Sequence, residues 1–154
     1  MTYQLYSRTE DKGLYISMPD WIKLLALARR YGWQPQGTVL SNSHKEFYGE
    51  QMLDIDSWEG NYITYSSQEV TDEDALAIAN ALEAALKDIP DKQTPEVDIN
   101  NDYIDLDQDF SFVQLLDAGV EYFDNNLLYF FSGSRKEMVG VTIALCRIGG
   151  FVIR

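Results

Sequence analysis

A chain of 154 residues, 45% apolar and 24% charged, fits one globular domain that buries roughly 70% of its unfolded surface. Its net charge of −13 sets it against nucleic acid and anionic membranes, and no apolar run approaches the roughly 18 residues of a membrane span. One cysteine permits no intrachain disulfide, and the N-terminus lacks the apolar core of a signal peptide, so the expected location is the cytoplasm.

The first 17 residues are aromatic and mildly alternating, with Tyr3, Leu5, Leu14, Tyr15 and Ile16 around an Asp11-Lys12-Gly13 turn signal. They predict one or two short strands. SMPDWIKLLALARRYGW then carries a Ser17-x-x-Asp20 cap, with Pro19 in the first turn. Trp21, Leu24, Leu25 and Ala28 share one face, Arg29 and Arg30 occupy the last turn, and Gly32 stands where a helix terminates. Pro35 and Gly37 mark a turn. Residues 38–69 have no helical period and read as loop, with a short strand near Asn61–Tyr65.

The longest helical pattern is Val70–Ile89. Thr71 is the expected N-cap, and Asp74, three residues on, is placed to reach back in a capping box. Ala75, Ile78, Leu82, Leu86 and Ile89 form an apolar stripe, and Pro90 stops the helix near Asp88. Residues 90–109 read as loop. A short helix is expected over Asp109–Asp117, ended by Gly119, followed by a turn at Asp124-Asn125-Asn126. Leu127–Phe131 is an apolar run of undecided type. Ser134 and Glu137 form a capping box for a last helix with Met138, Val141, Leu145 and Ile148 on one face and Val139, Ile143 and Cys146 on a second. Gly149 and Gly150 end it, and a terminal strand follows. The fold class is therefore α+β with helix predominating, in a single domain over residues 1–154.

Three stretches in one order along the chain carry a resemblance. They are Tyr31-Gly32-Trp33-x-Pro35-x-Gly37-Thr38; Trp58-x-Gly60-x-Tyr62 leading into Gln68-x-Val70-Thr71-x-x-Asp74-Ala75 and Asp88-Ile89-Pro90; and Cys146-Arg147-x-Gly149-Gly150-Phe151-x-Ile153. Together they resemble a family of small bacterial proteins, often met in cyanobacteria, that has no established activity. The resemblance implies no site residue, and each stretch reads as structural: a helix end, a helix start, and a glycine-ended helix running into a strand.

Chemistry-bearing motifs are sparse. Asp98, Asn100 and Asp102 match the first positions of a calcium loop, but Tyr103 replaces the glycine of the sharp turn and Asp109 the bidentate glutamate. No tight calcium site, metal site or cofactor is expected. The single histidine, His44, has no zinc-binding companions in sequence, and Cys146 falls among apolar residues. No phosphate-binding glycine loop, dinucleotide fingerprint or nucleophile elbow is present.

Charge is the stronger signal. Residues 1–45 hold six Lys/Arg and three Asp/Glu, a net +3; residues 46–126 hold two and 21, a net −19; residues 127–154 hold four and one, a net +3. Such segregation suits a non-catalytic protein that binds a basic protein partner, of which an immunity or inhibitor protein against a basic toxin is one form. Asp98, Asp102, Tyr103, Asp105, Asp107 and Asp109 are the candidate contact residues. The alternative is a small hydrolase or a ligand- or cation-binding domain built on loop carboxylates and tyrosines.

Overall fold

The computed structural model describes residues 2–40, 62–63, 67–93 and 112–154. Strands β1 (Thr2–Ser7) and β2 (Gly13–Ser17) form a hairpin, followed by helix α1 (Met18–Arg30) and strand β3 (Val39–Leu40). Strand β4 (Gln68–Val70) leads into helix α2 (Asp72–Leu86). Helices α3 (Phe112–Phe123) and α4 (Asn126–Phe130), a 3-10 turn (Gly133–Arg135), helix α5 (Lys136–Ile148) and strand β5 (Phe151–Ile153) complete the order. The fold is α+β.

The strands make one antiparallel sheet in the order β2-β1-β5-β4-β3. Side chains alternate across a strand, so one face of the sheet can be apolar while the other is wet. Tyr3, Leu5, Ile16, Val70, Phe151 and Ile153 lie on the buried face, where they join Trp21, Leu24, Ile78, Leu82 and Leu145 from the helices in one core. Tyr15 and Val39 belong to the opposite face, and Tyr15 is 76% exposed. Each fully buried large side chain of that core contributes about 1.5–3 kcal/mol.

Local signals account for α1 and α2. The Ser17 hydroxyl accepts the Asp20 amide at 3.3 Å, and Pro19 sits in the first turn where its missing N–H costs nothing. At the other end the Gly32 amide donates to Arg29 C=O and the Trp33 amide to Ala28 C=O, a Schellman closure that needs the positive φ of 99° only glycine adopts freely. α1 is buried on more than one face: every residue from Trp21 to Ala28 is buried, Lys23 included. In α2 the stripe Ala75, Ile78 and Leu82 faces the core as its spacing predicts.

Several expectations are corrected. The region 38–69 contributes two short strands, β3 and β4, which pair with each other and join the sheet through β5. α3 runs through Gly119, which is buried inside it, and continues to Phe123. Leu127–Phe130 is helical, within α4. The Ser134 capping box is not formed, because Ser134 lies inside the 3-10 turn and α5 starts after it with no side-chain cap. The inward residues of α5 are Val139, Thr142, Leu145 and Cys146, whereas Val141 is 46% exposed.

Candidate functional site

Asp74 is the chemical centre of the core. Thr71 caps α2 by accepting the Asp74 amide at 3.2 Å, as the pattern predicts. The Asp74 carboxylate turns inward. Its Oδ1 accepts the indole N–H of Trp33 at 2.9 Å, and its Oδ2 accepts the hydroxyl of Tyr62 at 2.5 Å. The side chain has no exposed surface. Desolvation pushes its carboxyl above the ordinary range, opposed by the donors Tyr62, Trp33 and the Gln36 amide.

Tyr62 is held at every polar atom. Its hydroxyl accepts the Gly37 amide at 2.9 Å while donating to Asp74, its own amide donates to Gln68 Oε1 at 3.0 Å, and its carbonyl accepts the indole N–H of Trp21 at 3.0 Å. Thr38 donates its hydroxyl to the same Gln68 oxygen. These bonds offset the cost of a non-glycine φ of 64°. Burial, reinforced by the bond to Asp74, raises the Tyr62 phenol well above its usual range. The ring meets Trp33 edge-on at 5.2 Å and Phe112 at 4.9 Å.

A second junction lies in the same first turn of α2. Asp72, at the positive end of α2, accepts from Arg8 at 2.7 Å and from the Gly150 amide at 2.7 Å, which ties the end of β1 to the turn between α5 and β5. Those two partners hold its carboxyl below the usual range. The three stretches that carry the resemblance thus meet in space: Trp33, Gly37 and Thr38 from the first, Tyr62, Gln68 and Asp74 from the second, and Gly150 from the third. Cys146 is also buried there, and desolvation raises its thiol to about 12, so it carries no thiolate nucleophile at neutral pH. With Asp74 buried and both its carboxylate oxygens bonded, this network fixes the geometry of three chain segments relative to one another.

The residues named from sequence as partner contacts, Asp98, Asp102, Tyr103, Asp105, Asp107 and Asp109, lie outside the described residues, as does His44. Among the described residues no three His, Cys, Asp or Glu side chains gather to hold a metal ion, and no helix is long and apolar enough to cross a membrane. A concavity of about 470 Å³ opens between the β1–β2 turn and α5, lined by Lys12, Leu14, Val141, Ala144, Leu145 and Ile148 among others, and its character is apolar. Sequence reasoning missed the inward turn of Asp74 and the burial of Lys23, because both residue types are mostly exposed. No family model, curated protein or solved structure matches the chain.

Proposed function

We propose that the chain is a non-catalytic interaction protein whose partner is a basic protein surface. The carrying observation is the charge segregation, 21 acids against two bases in residues 46–126. Ion pairing within the fold uses bases from both flanking segments. Arg8 pairs with Glu69 and Asp72, Arg29 with Asp117, Lys136 with Asp91, and Arg147 with Glu83. Each pair spends a base from one end of the chain on an acid of the middle. Glu73, Glu121 and Asp124 remain exposed, with no ion pair among the described residues. The buried state of Asp74 and Cys146 and the apolar lining of the groove speak for binding over hydrolysis.

The test is capture of a partner at low salt, followed by association kinetics as salt rises from about 50 to 500 mM. The on-rate should fall with salt, and joint replacement of Asp102, Asp105 and Asp107 by Asn should weaken binding with the fold intact. A partner indifferent to both would exclude an acidic contact surface.

A further inference from the structure

Lys23 sits in the first half of α1 and is 4% exposed. Lysine is almost never buried to that degree unless paired. Among the described residues no carboxylate or carbonyl oxygen hydrogen-bonds its ammonium or forms an ion pair with it. Asp20, three residues earlier in α1, acts on it only through space. The ammonium instead lies 4.6 Å from the centre of the Phe130 ring. A ring face attracts a cation, but it does not satisfy three N–H donors.

A second cation shares that ring. The Arg135 guanidinium lies 4.5 Å from the centre of Phe130. Arg135 is exposed and, among the described residues, has no ion pair. Burial lowers the Lys23 ammonium from its ordinary range, and repulsion from the Arg135 guanidinium adds to it in the same direction. Elsewhere in the fold Arg8, Arg29, Lys136 and Arg147 reach carboxylates, in a chain that carries 25 of them. Arg135 also stands at the start of the helical stretch that begins at Gly133 and continues through α5. No side chain caps that start, and the Ser132 hydroxyl is spent on the Tyr129 carbonyl. The buried ammonium of α1 and the guanidinium at the uncapped start of that stretch therefore both pack on the Phe130 ring of α4.

We propose that the corner of Lys23, Phe130 and Arg135 binds a phosphate group, either as the free ion or as the end of a phosphate monoester. A phosphate brings up to two negative charges and at least three acceptor oxygens, enough to meet the ammonium and the guanidinium together; a carboxylate brings one charge and two oxygens. The bound anion removes the repulsion between the two cations and supplies the acceptors that Lys23 lacks. The net charge of −13 repels anions at a distance, so only short-range contacts at this corner can hold one. The inference is independent of a basic protein partner.

Inorganic phosphate and methyl phosphate are titrated separately into the whole chain in phosphate-free buffer. Binding is followed by phosphorus NMR and by the side-chain ε-carbon shifts of lysine-labelled protein. Saturable binding with Kd below about 5 mM is expected, with one lysine resonance moving far more than the others. Lys23→Met should abolish that response, and Arg135→Gln, at an exposed position, should weaken binding about tenfold. Lys92→Gln, at an exposed lysine with no ion pair among the described residues, should change nothing. Equal affinity for both probes assigns a monoester ligand, and preference for inorganic phosphate assigns the free ion. Absence of saturation up to about 20 mM, or equal losses in the Lys23, Arg135 and Lys92 variants, overturns the proposal.

Discussion

The indole of Trp33 and the carboxylate of Asp74 meet at 2.9 Å, both buried, across a sequence separation of 41 residues. Trp33 is placed there by the Schellman closure of α1, and Asp74 by the first turn of α2. The end of one helix and the start of another are thereby locked by a single charge-assisted bond, and Tyr62 completes the lock from a third segment.

That lock makes a prediction about pH. Asp74→Ala leaves two buried donors without an acceptor and should cost about 2–4 kcal/mol in urea denaturation. Asp74→Asn isolates the titration. A carboxyl whose folded-state pKa is raised gives its full stabilising contribution below the unfolded value, near 4, and loses it as pH rises through the folded value. The stability of the wild type relative to Asp74→Asn should therefore fall as pH rises from about 4 and then level off. The opposite slope would mean that Trp33 and Tyr62 outweigh desolvation.

Two glycines should respond in opposite directions to alanine. A Cβ on Gly150 would overlap the Val70 carbonyl oxygen and crowd the Arg8 guanidinium that holds Asp72. Gly150→Ala should destabilise by about 1–3 kcal/mol. Gly140 lies inside α5 with no atom within 4 Å of its would-be Cβ, so Gly140→Ala should stabilise by about 0.5–1 kcal/mol. Melting temperatures of the two variants check both signs.

Leu82 is fully buried in the stripe of α2. Leu82→Asp places an unpaired carboxylate there and should cost about 3–5 kcal/mol, enough to unfold a domain of ordinary stability at room temperature. A melting temperature within a few degrees of wild type would contradict the core as described.

What could be read from the sequence was local. The Ser17 and Thr71 caps, the Gly32 terminus and the stripe of α2 depend on residues within four positions of each other. The turn at Asp11-Lys12-Gly13 and the strand at Phe151–Ile153 were legible for the same reason. β3 and β4 were not, because strands of two and three residues have no period and exist only through pairing with distant partners. Ser134 and Glu137 have the spacing of a capping box, yet the chain enters α5 through a 3-10 turn and the box does not form. Asp74 shows the same limit from the other side: its spacing from Thr71 is that of a capping acid, and only tertiary contact turns it inward. Lys23 breaks the rule that a charge in a helix marks its wet face.

The position of β5 in the sheet bears on how the chain is made. β5 lies between β1 and β4, and Gln4 and Arg154 exchange both backbone hydrogen bonds. It is also the last of the five strands in order of synthesis. Until it leaves the ribosome, the β1–β2 hairpin and the β4–β3 pair are two fragments with open edges and no shared register. Folding of the sheet therefore waits for residues 151–153, and the nascent chain must keep the inner edges of β1 and β4 from pairing elsewhere in the meantime.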